Sequence, residues 1–193
     1  MALTQYAALV RGINVGGKNP VPMADLRGAF EAAGHAEVRT YIQSGNVLFR
    51  SAAQGPALEP ELEIRLQERF GVPLVVVVRS LRQLGAVVEK APPGFGSDPH
   101  TFHSDVVFLR APLTPAQAMT VVRLREGVDQ AWAANGVVYF QRLSAQRTKS
   151  KMGQIVGTPE YRLMTIRSWK TTTKLYELAR SVSESERSTA RSR

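Results

Sequence analysis

The order of apolar and polar residues in the first half of the chain predicts alternating strands and helices. A short apolar run over residues 6–11 is followed at once by Gly12, which indicates a buried strand that enters a loop. Apolar residues at helical spacing then predict one helix that ends at Gly34 and a second that ends at Gly71. A strand is expected after the second helix, over residues 74–79.

Between these helices, two strand-like runs are separated only by Ser44 and Gly45, which predicts a β-hairpin. The order of elements is then βαββαβ, which is the ferredoxin-like pattern. Taking strands one and three as parallel, we expect the hairpin turn at the end of the sheet opposite the loop that follows Gly12. Five strand residues would separate the two by about 17 Å. Ser44, Gly45 and Asn46 are therefore interpreted as a turn and not as part of a site.

The second half of the chain repeats this pattern after a linker over residues 91–104, which is rich in proline and glycine. Thr114 and Pro115 supply a capping hydroxyl and a proline at the first helical position, which predicts the start of a helix. Asn135 and Gly136 lie between two apolar runs and predict a second hairpin with a type I′ turn. Helical sequence follows.

These patterns predict an α+β protein made of two similar ferredoxin-like halves, of the βαββαβ type, with antiparallel-rich sheets. We expect an N-terminal half over residues 1–91 and a C-terminal half with a basic helix over residues 104–181. The last residues, 182–193, are mostly Ser, Glu and Arg, and we expect them to form a disordered tail.

Composition excludes several classes of protein. The 193 residues include no cysteine, which rules out disulfides, thiolate zinc sites, iron–sulfur clusters and a cysteine nucleophile. No apolar stretch approaches the roughly 20 residues that span a bilayer. The N-terminus also does not have the pattern of a secretory signal peptide. We therefore expect no membrane association and no secretion.

The positive charge of the chain is concentrated near its C-terminus. The formal net charge is +9, and residues 141–193 carry +8 of it. A basic segment of this kind attracts phosphate-bearing partners through long-range electrostatics. The alternative is that the charge only keeps the protein soluble.

Two groups of cations in this region are candidates for binding phosphate. The first group crowds a short polar stretch after the second hairpin and consists of Arg147, Lys149 and Lys151. The second group recurs at i, i+3 and i+7 of the expected last helix and consists of Arg167, Lys170 and Lys174. We expect the second group to form one stripe, which would suit the phosphates of nucleic acid or of a small ligand. The alternative is a solvated basic face.

The glycine loop, residues 12–19, is the other candidate site. It fits the first seven positions of the phosphate-binding pattern G-x-x-x-x-G-K-S/T, but Asn19 stands where a hydroxyl would hold magnesium. Pro20 and Pro22 then separate the loop from the helix, which argues against a nucleotide triphosphatase. A looser anion-binding loop stays open, because glycines let backbone N–H groups approach an anion. Its candidate contacts are Arg11, Gly12, Asn14, Gly16, Gly17 and Lys18. The alternative is a loop that needs glycine only to turn.

Other constellations give no reaction. His100 and His103 have the spacing of metal ligands but lie at a linker and at the start of a strand, so we expect no metal site. The chain has no nucleophile elbow and no acid-rich cluster that would hold magnesium. We therefore assign no catalytic residue and no cofactor.

Three stretches of sequence carry a resemblance to a known family. The first begins Leu-Val-Arg-Gly-Ile-Asn-Val-Gly-Gly-Lys-Asn at residue 9, and the second, over residues 38–47, includes Tyr-Ile-Gln-Ser-Gly-Asn-Val. The third, over residues 166–175, has Ser168 and Lys170 in place of two asparagines of the family pattern. Together with the strand over residues 103–109, they resemble the domain-of-unknown-function 1697 family over about residues 4–180. The resemblance implies a cytoplasmic α+β protein with tandem ferredoxin-like halves, and it implies no activity.

From these observations we expect a non-catalytic binder of phosphate-bearing partners, with nucleic acid favoured, that acts through the basic C-terminal segment. The alternative is an enzyme or sensor for a small anionic metabolite held at the glycine loop between the two halves. The sequence does not decide whether the protein is an enzyme, and it leaves the oligomeric state open.

Overall fold

Two four-stranded antiparallel sheets, each with its own helices, organise the chain. The computed structural model describes residues 3–16 and 19–191, with side chains through Val182. The chain divides into two compact units. The first unit contains the residues up to Ala86 together with those from Lys174 onward, and the second is Val87–Thr173. The fold is therefore mixed α+β, as the sequence predicts.

The first unit contains one sheet, two helices that pack on it, most of a third helix and the larger part of the last helix of the chain, Trp169–Arg191. Its elements are β1 Thr4–Arg11, α1 Met23–Ala32, β2 Ala36–Tyr41, β3 Asn46–Ser51, α2 Gly55–Phe70, β4 Val75–Ser80 and α3 Leu81–Glu89, of which the last three residues belong to the second unit. The strand order is β2-β3-β1-β4, with antiparallel neighbours throughout. Gly71 ends α2 in the left-handed conformation, with φ of 71°, as its position predicts.

The core of the first unit lies between one face of this sheet and the helices α1 and α2. Strand residues two positions apart point to the same face, and helix residues four positions apart lie on one side, so both patterns converge on one layer. The larger buried side chains of this core include Tyr6, Val10, Leu26, Phe30, Val47, Phe49, Leu58, Leu62 and Leu66.

The orientation of β1 and β3 overturns one expectation. The two strands pair antiparallel, with Leu9 beside Asn46, whereas the sequence analysis took them as parallel. The end of β1 therefore lies next to the start of β3. The hairpin turn, residues 42–45, lies at the same end of the sheet as the glycine loop and not about 17 Å away from it.

His35 makes the first unit sensitive to acid. The imidazole is buried against Phe49 and Phe30, with ring centroids 4.8 Å and 6.0 Å away. Burial lowers the pKa of His35 from its ordinary value of 6.5, the nearby Glu61 carboxylate raises it, and Arg65 lowers it. The unfolded chain therefore takes up this proton more readily than the folded protein.

We expect His35 to contribute stability that is complete above pH 6.5 and is lost as the pH falls towards the lowered pKa of the folded state. Thermal melts across this range should show a steeper loss of Tm on acidification for the wild type than for His35→Leu. His100→Gln, which removes an exposed imidazole, is the matched control for the loss of one histidine. Equal slopes for the wild type and His35→Leu would contradict this assignment.

The second unit repeats the strand order but replaces one helix. Its elements are β5 Phe102–Leu109, α4 Pro115–Val121, β6 Asp129–Ala134, β7 Val137–Leu143, three short 3₁₀ helices (Ser144–Lys149, Met152–Gly157 and Pro159–Leu163), β8 Met164–Ser168 and the start of α5 Trp169–Arg191. The sheet order is β6-β7-β5-β8, again antiparallel. The sequence pattern after the second hairpin predicts only helix, and this prediction is wrong for β8.

Local signals in the second unit are only partly confirmed. Thr114 caps α4 through a full capping box with Gln117, as predicted. The hairpin at Asn135 and Gly136 is present, but only Gly136 has positive φ, at 75°, so the turn is not of type I′.

The last helix, α5, has a helical backbone through Arg191. The tail expected to be disordered, residues 182–193, begins within this helix and ends with residues 192–193, which lie outside the described part of the chain. Its disorder stays a prediction. Among the described residues, no helix combines the length and the apolar character needed to cross a membrane.

Candidate anion-binding sites

The basic turn segment, residues 142–151, begins with the last two residues of β7 and includes the first 3₁₀ helix of the second unit. Its backbone is fixed at both ends. Near the start, Ser144 N–H donates to Thr101 O at 2.9 Å. At the far end, Lys151 N–H donates at 2.8 Å to Oδ2 of Asp129, which is 7% exposed and also accepts from Arg125 N–H. The segment is therefore held on a buried carboxylate.

The side chains of this segment divide into paired and exposed cations. Arg142 Nη2 donates to Asp105 Oδ2 at 3.0 Å, and both side chains are largely buried. Arg147 and Lys149 are exposed, and Lys151 is half-buried. The structure thus brings the three predicted cations together on one turn of chain, next to a fourth, Arg142, that is already neutralised.

The buried carboxylate of Asp105 interacts with cations of this segment. Burial raises the pKa of Asp105, while the charges of His103, Arg142 and Arg147 act in the opposite direction. His103 Nε2 lies 3.3 Å from Asp105 Oδ1. Arg147 therefore interacts electrostatically with this carboxylate, although its side chain is exposed to solvent.

Arg167 is not where the sequence analysis placed it. It belongs to β8 and not to the last helix, and it is 8% exposed. Its Nη1 donates to Thr165 Oγ1 and to Ile166 O, both at 2.9 Å. Burial lowers the pKa of Arg167 to about 10, and the Tyr161 phenol opposes this. The expected stripe with Lys170 and Lys174 therefore does not form, because a strand residue does not continue the helical spacing.

The two remaining members of that stripe lie in different units. Lys170 is exposed in the first turn of α5, in the second unit. Lys174 belongs to the first unit, is exposed, and donates to Glu177 Oε2 at 3.1 Å. Only Lys170 can therefore be counted with the cations of the second unit.

In the first unit, the glycine loop and the hairpin turn meet. Val10 N–H donates to Gly45 O at 2.7 Å, and Asn14 Nδ2 donates to Gln43 O at 3.0 Å. Gly45 packs so closely that an added Cβ would lie 2.6 Å from Val10 O. The turn that the sequence analysis kept apart from the loop is bonded to it.

The side-chain amides of Asn14 and Asn19 hydrogen-bond to backbone groups in and next to the glycine loop. Asn14 lies in the left-handed region, with φ of 53°, and its side chain both donates to Val21 O and accepts from Val21 N–H. Asn19 Nδ2 donates to Gly12 O at 2.8 Å. Asn14, a predicted ligand contact, is thus fully used in closing the loop.

The groups of the loop that can contact a ligand are therefore its backbone at Gly16 and the residues at the end of β1. Gly16 has φ of 58°, and nothing lies within 4 Å of the position of a Cβ, so its backbone is open to approach. Arg11 and Gly12 are half-buried where β1 ends. The predicted contacts Gly17 and Lys18 lie outside the described residues.

The anchoring carboxylates were missed by sequence reasoning. Asp105 lies within β5 and Asp129 begins β6, and the residues of the basic turn segment that they bind, Arg142 and Lys151, are 37 and 22 residues away in the chain. An Asp at the edge of a strongly apolar strand-like run is a weak signal that could have pointed to Asp105. Among the described residues, no group of three or more His, Cys, Asp or Glu side chains could hold a metal ion.

Comparison with known proteins identifies the family. The family model described as "Protein of unknown function (DUF1697)" matches residues 3–139. The chain belongs to the DUF1697 family. In this DUF1697 protein the match covers the first unit's sheet, the glycine loop and the hairpin turn, and it ends within β7.

Two solved structures are similar to this chain. A conserved bacterial protein of Streptococcus pneumoniae, SP0830, is similar with 31% identity and a TM-score of 0.79, over 92% of this DUF1697 chain and 99% of the other. An unknown protein from Galdieria sulphuraria also matches, with 12% identity and a TM-score of 0.27, over 86% of this chain and 98% of that one. None of the curated proteins matches.

Proposed function

We propose that this protein is a non-catalytic binder of phosphate-bearing partners, with nucleic acid as the partner, and that the basic turn segment is its binding surface. The observation that carries the proposal is the exposure of Arg147 and Lys149 on a backbone that Asp129 holds in place. Because the backbone of the turn is already held, only the side chains have to be ordered when these cations contact phosphates, which favours binding.

The charge around the segment supports the same proposal. Residues 130–159 contain no Asp or Glu. The Asp105 carboxylate is taken up by Arg142, with which it makes a close ion pair. The segment itself therefore carries only positive side-chain charges, and such a cluster attracts phosphate groups.

The architecture is compatible with this role. We interpret each unit as ferredoxin-like, because the orders β2-β3-β1-β4 and β6-β7-β5-β8 both describe a split βαβ sheet. In the second unit the 3₁₀ helices stand where the second helix of that fold would be. We place the protein in the cytoplasm, where such partners are found.

The double variant Arg147→Glu with Lys149→Glu tests the binding surface. We expect it to bind a short fluorescent oligonucleotide at least about tenfold more weakly than the wild type, because two phosphate contacts are lost and two repulsions are added. Fluorescence anisotropy at low salt measures the change. Thermal melts should show an unchanged fold, since both side chains are exposed.

A matched charge reversal separates a site from a general effect of net charge. Arg69→Glu with Arg82→Glu alters the net charge equally, at exposed positions of the first unit. This control should retain most of the affinity. Equal losses in the two double variants would overturn the proposed surface, and so would no loss in either.

A second candidate function is favoured by the contact between the glycine loop and the hairpin turn. A small anion held by the open backbone at Gly16 would stabilise the first unit in a way that survives high salt. Thermal melts at high salt with inorganic phosphate or small carboxylates test this function, because a rise in Tm there reports a small anion and not nucleic acid.

A further inference from the structure

Edge strands decide whether a sheet can accept another chain. In the part of the chain that the structure describes, the two sheets have four edge strands, β2, β4, β6 and β8. An edge strand presents unpaired backbone N–H and C=O groups, and proteins commonly block such edges with charges, bulges or covering elements. Comparing the four edges shows which of them is left open.

In the first unit both edges are blocked. On β4, Val76 N–H donates to Glu63 Oε1 and Val78 N–H donates to Glu59 Oε1, both at 2.9 Å. These carboxylates of α2 occupy the donors that a further strand would need. The β2 edge has a register shift between Ala36 and Arg39, and the two charged side chains Glu37 and Arg39 are exposed.

The second unit has one covered edge and one open edge. None of the five residues of β8 is exposed. In contrast, Gln130 and Ala133 of β6 are exposed. Residues 130–134 include no charged residue and no proline, and their register with β7 has no shift. This segment, the β6 edge, carries none of the usual blocks.

The hydrogen-bond phase of the hairpin shows which groups are open. Ala134 pairs with Val137 across the two-residue turn, and Leu143 N–H donates to Val128 O. In an antiparallel ladder bonded and non-bonded positions alternate, so Ala131 and Ala133 direct their N–H and C=O groups away from β7. The outward N–H of Asp129 is already taken by Arg125 O, which limits the open edge to these two alanines.

We propose that the β6 edge pairs antiparallel with the same edge of a second copy of this chain, about a two-fold axis at Trp132. In this register Ala131 lies opposite Ala133 of the second copy, and the two pairs exchange four backbone hydrogen bonds. The sheet of the second unit in one copy and the same sheet in the other copy then form one continuous sheet of eight strands.

Features of the edge itself favour a second copy as the occupant. The register is self-complementary, because the open positions lie symmetrically on either side of Trp132. No like charges meet, since the edge is uncharged, and the small alanine side chains allow close approach of the backbones. Trp132 is half-buried against Phe95, at a centroid distance of 6.0 Å, and its remaining surface would face the second Trp132.

Two variants of Ala133 test the pairing by sedimentation velocity over a range of protein concentrations. We expect the wild type to show a concentration-dependent species of twice the chain mass, which strengthens with salt because each copy carries a net charge of +9. Ala133→Pro removes an outward N–H without breaking the ladder to β7, and Ala133→Lys places like charges together. Both should sediment as monomers throughout.

The exposed Ala116 of α4 supplies the matched control, and Ala116→Lys should dimerise like the wild type. Circular dichroism checks that every variant is folded. A wild type that stays monomeric at the highest concentration would overturn the proposal. A dimer that survives both Ala133 variants, or one that Ala116→Lys abolishes equally, would overturn it as well.

Discussion

Replacing Gly96 with alanine is expected to destabilise the second unit by about 4 kcal/mol. Gly96 has φ of 72°, and an added Cβ would lie 2.0 Å from Cδ1 of Trp169 and 2.3 Å from its Nε1. The indole would have to leave its place beside Phe95, where the rings meet edge to face with centroids 5.1 Å apart. Because Phe95 also contacts Trp132 and Tyr139, the whole aromatic cluster would be disturbed.

Chemical denaturation followed by tryptophan fluorescence measures this effect, since the chain has two tryptophans and both belong to the cluster. Gly94→Ala is the matched control. Gly94 has φ of 77° in the same loop, but the nearest atom to its Cβ position is Ser97 Oγ at 4.0 Å. Gly94→Ala should lower the free energy of unfolding only by the roughly 1–2 kcal/mol that the left-handed conformation costs an alanine. Similar losses for the two variants would show that the contact with Trp169 is unimportant.

Gly45→Ala is expected to destabilise the first unit by about 3 kcal/mol. The added Cβ would lie 2.6 Å from Val10 O and 3.0 Å from Ile13 Cδ1, at a residue whose φ is 75°. Relief requires the hairpin turn to move away from the glycine loop. The hydrogen bond from Val10 N–H to Gly45 O would then lengthen.

Urea denaturation of Gly45→Ala and of Gly16→Ala separates the cost of the steric clash from the cost of placing alanine at positive φ. Both glycines have positive φ, but Gly16 has nothing within 4 Å of its Cβ position. The difference between the two variants therefore reports the contact between the glycine loop and the hairpin turn. If Gly45→Ala were no less stable than Gly16→Ala, the loop and the turn would not be held together as described.

Features set by local chemistry were predictable from the sequence. Gly71 ends α2, and Thr114 with Pro115 starts α4, because each depends on only a few neighbouring residues. Both hairpins also follow from short turn signals flanked by apolar runs. The apolar runs and the first hairpin together predict the four strands of the first unit.

Features that depend on distant pairing were not predictable in the same way. The relative direction of β1 and β3 is set by the register of Leu9 with Asn46, and the wrong direction separated the two parts of the candidate loop–turn site. β8 has only five residues and contains Arg167, so its polar composition resembled the helix that follows it. The burial of Arg167 depends on tertiary packing, which helical spacing alone does not report.

The candidate binding surface was found in part. The exposed cations Arg147 and Lys149 were evident from charge density along the chain. The Asp129 and Asp105 carboxylates that fix their surroundings were not, because Lys151 and Arg142, which they hold, are more than 20 positions away. Charge along the chain shows which residues are candidates for contacting a partner, whereas packing decides which of them are exposed, as the burial of Arg167 shows.

The salt dependence of oligonucleotide binding tests the central proposal most directly. We expect the logarithm of the association constant to fall linearly with the logarithm of salt concentration, with a slope of about −2 to −3 for two or three phosphate contacts. In Arg147→Glu with Lys149→Glu the slope should become shallower by about two. Binding that is independent of salt, or a slope that the double variant leaves unchanged, would contradict phosphate recognition by the basic turn segment.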